Sequence, residues 1–149
     1  MLQTERVPTG ILGLDSLIEG GFPQGRSILI TGEPGTGKSI FALQFLAEGL
    51  KRNEKCIFVS ADENPMDILE QAASMGWDFE PHIENKDLAI LNAGTYLSSF
   101  PGASSERHID VQRAVSDLGN FVKQLGAKRL VLDPAGPFVL LRASTVRIQ

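Results

Sequence analysis

Cysteine is nearly missing from this chain: Cys56 stands alone, so no disulfide can form within it, and a reducing compartment fits. Cys56 opens an apolar run and reads as a small core residue. A surplus of basic charge is missing too. Lys and Arg number 14 against 18 Asp and Glu, a formal net charge of −4 that argues against nonspecific nucleic-acid binding while leaving room for a local basic patch. No apolar run approaches the ~20 residues that span a bilayer, and no charged-then-apolar leader stands ahead of the first elements, so we expect a cytoplasmic protein without membrane contact. Metal-ligand spacing is also lacking. His82 and His108 have no second ligand at a suitable interval and read as surface or capping residues. What remains is a chain of 149 residues, 42% hydrophobic, long enough for one domain with a real core.

Glycine, by contrast, is plentiful, and it gathers in one informative stretch. Gly32-Glu33-Pro34-Gly35-Thr36-Gly37-Lys38-Ser39 satisfies G-x-x-x-x-G-K-[ST]. The glycines let the backbone curl so that several N–H groups face inward, and the N-terminus of a following helix extends this anion-binding concavity. Phosphate is the natural guest. Lys38 would reach the β- and γ-phosphate oxygens, the Ser39 hydroxyl would take a position on Mg²⁺, and Ile40 continues the binding stretch into the helix. The pattern alone produces false matches, so its surroundings decide. Ser27 to Thr31 reads as a buried strand, and Lys38 to Leu50, with Phe41, Leu43, Leu46 and Leu50, reads as a helix. Strand, glycine-rich loop and helix stand in the required order.

A second strand buried on both faces is expected over Lys55 to Ser60. Asp62 and Glu63 follow at its carboxyl end, where ligands sit in open α/β sheets. Two readings stay open there. A carboxylate could orient the water that attacks a γ-phosphate, or the acids could simply favour the first turn of the next helix by ~0.3 to 1 kcal/mol. Asn64 as N-cap and Pro65 at the first helical position open that helix, whose apolar positions Ile68, Leu69, Ala72 and Met75 share a face, and Gly76 closes it. Trp77 reads as a core aromatic capping it. Residues 93–105 read as loop. From Ile109 to Leu125 apolar residues recur at helical spacing as a core-facing stripe, opposite a charged face with Arg107, Asp110, Arg113, Asp117 and Lys123, and Gly126 is the stop. Leu130-Val131-Leu132-Asp133 is an apolar strand that delivers an aspartate at its carboxyl end.

The leading segment, Thr9 to Gly25, is punctuated by glycine and holds a short helical piece around Leu14 to Ile18 that Asp15 or Ser16 would cap. This segment, followed closely by the Gly-Glu-Pro-Gly-Thr-Gly-Lys-Ser loop, resembles the RecA/RadA/KaiC superfamily and its KaiC-like branch in particular. Asp62-Glu63-Asn64-Pro65 looks like the acidic pair of that branch, as does Ala72 to Asp78 leading to Leu88-Ala89-Ile90-Leu91. The resemblance implies an α/β, RecA-like P-loop NTPase, a mainly parallel sheet sandwiched by helices. It implies ATP and Mg²⁺ as ligands, Leu130 to Asp133 as a Walker B strand, and Asp133 supporting the metal directly or through its waters. At the position of the general base, usually glutamate in RecA-type ATPases, this chain has Asp62, one methylene shorter; either Glu63 serves instead or hydrolysis is slow.

The same resemblance places another strand between the Walker B strand and the phosphate-loop strand. We therefore expect residues 1–149 to form the N-terminal part of one such domain, a leading segment over 1–26 and a nucleotide-binding core over 27–149, with a gap in the sheet that rearrangement or another chain would fill. Three functions are compatible with these residues. The first is an Mg²⁺-dependent ATPase, acting in DNA recombination, repair or signalling, in which Lys38 and Asp62 or Glu63 serve catalysis. The second is a nucleotide-binding regulatory or recombination-accessory subunit with little turnover, and the third is autophosphorylation. Family members act as rings or filaments, so a homo-oligomer is expected, with DNA as a further candidate partner.

Overall fold

The computed structural model describes residues 4–93 and 111–135, without the side chains of 111–114. A short antiparallel pair, β1 (Arg6–Val7) and β2 (Phe22–Pro23), brackets a one-turn helix, α1 (Leu14–Leu17). Then come α2 (Lys38–Lys51), β3 (Cys56–Ser60), α3 (Pro65–Ser74), α4 (Glu80–Glu84), β4 (Leu88–Asn92), α5 (Val111–Leu125) and β5 (Arg129–Asp133). Strands β4, β3 and β5 lie side by side in that order, all parallel. This is the expected α/β architecture of a parallel sheet flanked by helices.

β3 is central, which explains why Cys56 to Ser60 are all buried and why the segment reads as a continuous apolar run instead of an alternating one. On α2, Leu43, Leu46 and Leu50 fall at the i, i+3, i+7 spacing of one helix face and bury against Cys56, Phe58 and Val131. Ile68 and Ala72 of α3, with Phe79 and Leu88, complete the same core, and Trp77 packs against it, half-buried, as expected. Each fully buried Leu contributes about 1.5–3 kcal/mol, so truncating Leu46 to Ala would cost about 2–5 kcal/mol. α3 starts where the sequence says: the Asn64 side chain accepts from the Asp67 N–H at 3.0 Å, Pro65 is the first helical residue, and Gly76 follows the end with φ of 87°.

The leading segment is tied down by side chains. The sequence suggests Asp15 as a cap of α1, but it turns back instead to accept from the Thr9 hydroxyl at 2.6 Å and from the Thr9 and Gly10 amides. Ser16 likewise donates to the Gly13 carbonyl instead of capping. Four residues are too few for a cap to matter more than holding the turn before them. Gly21 is required where β2 meets β1, since a Cβ there would lie 2.1 Å from the Val7 carbonyl oxygen. Phe22 then packs with tilted rings against Phe41 and Phe45 of α2 at 6.3 and 5.9 Å between ring centres.

Three further expectations are corrected. Ser27 to Thr31 do not form a strand. A strand needs a neighbour on its ladder, and the nearest sheet edge, β5, lies across a groove of about 750 Å³ lined by Ile28, Leu29, Ile30, Phe41 and Leu132. Ile28, Leu29 and Ile30 are accordingly exposed, at 42, 65 and 39%. The apolar stripe of α5 is not a covered core face among the described residues: Val115 is exposed, and Leu118, Phe121, Val122 and Leu125 are only half-buried. The polar connection around Pro81 is a short helix, α4, in which His82 Nδ1 lies 3.8 Å from Asp87. His108, the loop over 94–105, the start of the α5 stripe at Ile109 and the last residues from Gly136 lie outside the described residues. No helix among the described residues is long and apolar enough to cross a membrane.

Candidate functional site

The fourteen residues of α2 begin at Lys38 and aim their N-terminus at the glycine loop. No acid occupies the first turn, and Lys51 sits in the last, so the helix presents an uncancelled partial positive charge at the loop. Gly35 and Gly37 adopt φ of 79° and 93°, the left-handed region that favours glycine, and a Cβ at either would meet nothing within 4 Å. The loop is open on that side, a cradle with room for a guest. Its shape is set from within. The Thr36 hydroxyl donates to the Glu33 carbonyl at 2.7 Å, and Lys38 Nζ donates to the Gly32 and Glu33 carbonyls, both at 2.8 Å. Lys38 is therefore folded onto its own loop, from which phosphate oxygens would draw it.

β5 brings in the second half of the site. Asp133 Oδ2 accepts the Ser39 hydroxyl at 2.6 Å, joining residues 94 positions apart in sequence. A hydroxyl and a carboxylate at one corner are the hard oxygen donors that Mg²⁺ selects, so the residues fit that ion. Ile40 lies half-buried in the first turn of α2, while Glu33 and Pro34 are exposed on the loop. The structure thus brings together Lys38, Ser39 and Asp133.

Asp62 and Glu63 sit one strand further on, in the turn between β3 and α3, and both are exposed. The register fixes this turn against β5: Ser60 is opposite Asp133 on one side and Asn92 on the other. The Ala61 amide donates to the Asp133 carbonyl at 3.3 Å, and the Glu63 amide donates to the buried Ser60 hydroxyl at 2.8 Å.

A second cluster supports the site from the opposite end of α2. Arg129, at the start of β5, has a fully buried side chain. Its guanidinium donates to the Glu54 carboxylate at 3.0 Å and to the Pro8 and Phe45 carbonyls at 2.7 and 2.9 Å, and it lies 4.5 Å from the centre of the Phe45 ring. One cation thus ties the leading segment, α2 and β5 together, while Gln44 holds the Gly10 carbonyl beside it. Gly49 makes room, because a Cβ there would lie 2.6 Å from Arg129 Cδ. Burial pushes the Cys56 thiol up to about 12 against the opposing Arg129 charge, so it is inert in the folded chain. For Asp15, burial pushes the carboxyl up, but its bonds from Thr9 and Gly10 and the Arg129 charge outweigh this and leave it below the usual carboxylate range. No sequence pattern signalled Arg129, whose partners are distant and mostly main-chain.

Comparison with known proteins gives a consistent picture. The family described as ATPase: KaiC matches residues 7–149. A circadian clock oscillator protein KaiC of Parasynechococcus marenigrum is 39% identical over 133 residues, covering 89% of this chain and 25% of the relative. A UPF0273 protein of Pyrococcus horikoshii is 36% identical over 135 residues, covering 87% of this chain and 54% of the relative. The crystal structure of a KaiC-like protein from Pyrococcus horikoshii superimposes with a TM-score of 0.73 at 38% identity, covering 88% of this chain and 56% of that one. The chain therefore spans between a quarter and about half of the length of these relatives.

Proposed function

The chain belongs to the KaiC ATPase family, and on that premise we propose that it binds ATP with Mg²⁺ and takes part in hydrolysing it. The observation that carries this reading is the Ser39–Asp133 hydrogen bond, which sets a hydroxyl and a carboxylate beside the glycine loop at the N-terminus of α2. The loop amides and Lys38 bind and orient the phosphates; Ser39 and Asp133 hold the ion. Bound there, Mg²⁺ supplies neutralisation of the negative charge on the phosphate oxygens. The carboxylate turn Asp62–Glu63 orients water toward the γ-phosphate, and catalysis is then mostly positioning and charge stabilisation.

The groove between residues 27–31 and β5 supports a second element of the proposal. A further strand in this volume of about 750 Å³ would pair with β5, cover Ile28, Leu29 and Ile30, and steady the loop. Membership in a family that resembles ring- and filament-forming ATPases supports a homo-oligomer acting in the cytoplasm, in DNA recombination or repair or in signalling. A second reading, a nucleotide-responsive subunit with little turnover, is favoured by the shorter carboxylate of Asp62.

Calorimetric titration with ATP and Mg²⁺, beside Lys38→Ala, tests the proposal. Saturable binding that the substitution abolishes is the expected result. A folded wild-type chain that binds neither ATP nor ADP would overturn it for these residues.

A further inference from the structure

Helix α2 is joined to strand β5 by two polar fasteners, one at each end of the strand. At the carboxyl end Asp133 accepts the Ser39 hydroxyl at 2.6 Å. At the start Arg129 Nη1 donates to the Phe45 carbonyl at 2.9 Å and to the Pro8 carbonyl at 2.7 Å. Along β5 the two points are about 13 Å apart, and along α2 about 9 Å. Between them the packing is apolar, with Leu43, Leu46 and Leu50 on Cys56, Phe58 and Val131, and apolar contact has no direction. Fastened at Ser39 alone, the helix could pivot about that point. Fastened at Phe45 as well, its tilt and its axial position on β5 are set.

The residue at 129 suits this task better than it suits plain stability. Its side chain is fully buried, and its Nε donates to the Glu54 carboxylate at 3.0 Å. Gly49, one turn beyond Phe45 on α2, leaves the space it needs, since a Cβ there would lie 2.6 Å from Arg129 Cδ and 2.7 Å from Nε. Apolar residues of similar volume often hold such a joint as firmly as a buried ion pair does. A guanidinium adds direction, because its planar fork makes its bonds in one arrangement.

We propose that Arg129 is a positioning residue for the divalent ion: by fixing α2 on β5 it holds Ser39 and Asp133 at the separation that Mg²⁺ requires. This rests on the reading of Ser39 and Asp133 as the residues that hold that ion. Mg²⁺ demands near-octahedral geometry with bonds of about 2.0–2.1 Å, whereas Ca²⁺ accepts longer and more varied bonds of about 2.3–2.6 Å. Loosening the joint therefore penalises Mg²⁺ first. Glu54, Pro8 and Phe45 all lie outside the phosphate loop, so the loop's own hold on a nucleotide does not depend on these bonds.

The test is the gain in ADP affinity that a divalent ion brings, the ratio of Kd in chelator to Kd with the ion, measured by calorimetry on the full chain with Mg²⁺ and with Ca²⁺. Taking the ratio within one variant cancels a change in folded fraction, so a role in stability alone would not move it. Arg129→Lys keeps a cation beside Glu54 and removes the fork. Its Mg²⁺ gain is expected to fall about tenfold, the low end for residues that orient a metal's ligands. Its Ca²⁺ gain and its affinity in chelator are expected to stay near the wild-type values. Gly49→Ala, which pushes the same side chain off its partners without removing its charge, is expected to show the same selective loss and serves should Arg129→Lys fail to fold. An unchanged Mg²⁺ gain in either folded variant, or an equal fall with Ca²⁺, would overturn the proposal. A wild type whose ADP affinity does not rise with Mg²⁺ would instead remove the reading of Ser39 and Asp133 as ion ligands.

Discussion

Ser39 and Asp133 meet at 2.6 Å although 94 residues of chain separate them, and the contact joins the first turn of α2 to the carboxyl end of β5. The loop that would hold phosphates and the strand end that would hold an ion are thereby one unit. Arg129 repeats the arrangement at the other end, where the same strand grips the Phe45 carbonyl of the same helix.

Replacing Asp133 with Asn keeps the size and a hydrogen-bond acceptor but removes the charge. The affinity for ATP in Mg²⁺ is expected to fall by about 1.5–3 kcal/mol, roughly ten- to a hundredfold, while affinity in the presence of a chelator changes little. Calorimetry in the two conditions separates the effects. An equal loss in both would place Asp133 in the fold alone and not in metal binding.

Gly49 and Gly119 should respond to Ala in opposite directions. At Gly49 the new methyl would lie 2.6 and 2.7 Å from Arg129 Cδ and Nε and 2.9 Å from Cys56 Sγ, overpacking worth about 1–3 kcal/mol. At Gly119, inside α5, it would meet nothing within 4 Å, and better helix propensity should add about 0.5–1 kcal/mol. Thermal unfolding would register each kilocalorie as a shift of about 2–4 °C. Removing Arg129 itself, as Arg129→Ala, leaves Glu54 and the Pro8 and Phe45 carbonyls without their donor and is expected to cost about 3–5 kcal/mol.

These two ends of α2 were unequally legible in the sequence. The loop, the helix over Lys38 to Lys51, the central strand and the Asn64-Pro65 start of α3 all follow from local pattern, because periodicity and capping chemistry are properties of neighbouring residues. Arg129 was invisible because its partners lie 75, 84 and 121 residues away and two are carbonyl groups that any residue could provide. Ser27 to Thr31 misled for a related reason: its composition is that of a strand, but a strand exists only where another lies beside it. The turn at Asp62-Glu63 was visible as acidic, while the grip of Ser60 on Glu63 depended on a register that only the assembled sheet supplies.

Acid should loosen the leading segment before the sheet. The Asp15 carboxyl is held below its ordinary value, so its contribution is fully present above the unfolded value near 3.9 and is lost as pH falls through the lower, folded one. Asp15→Asn is expected to be less stable than wild type at pH 7 and to show a smaller further loss between about pH 4 and pH 2. Thermal melts across that range would show it. Parallel pH curves for the two proteins would mean that the Asp15 bonds to Thr9 and Gly10 contribute nothing to folding.

The Cys56 thiol predicts a second, alkaline signature. Burial raises it to about 12, so a thiol reagent at pH 8 should label this chain only as fast as the core opens, and labelling should become complete in denaturant. Rapid labelling under native conditions would contradict the buried position between Leu46 and Glu54.

The groove beside β5 gives the most direct prediction about the sheet. Ile57, Phe58 and Val59 have ladders on both sides and full burial, so their amides should exchange with solvent only through global unfolding. Ile28, Leu29 and Ile30 pair with no strand among the described residues and are exposed, so their amides should exchange orders of magnitude faster in this chain. If a further strand occupies the groove in a longer form of the protein, the same three amides should become protected there, together with Leu130 and Leu132 on the edge of β5 that pairs with no strand among the described residues. Because Leu132 adjoins Asp133 and Ile30 lies two residues before Gly32, that protection should arrive with tighter ATP binding. Amides at Ile28 to Ile30 that are as slow in this chain as those of β3 would show that the segment already has its partner, and the groove would then be no place for another strand.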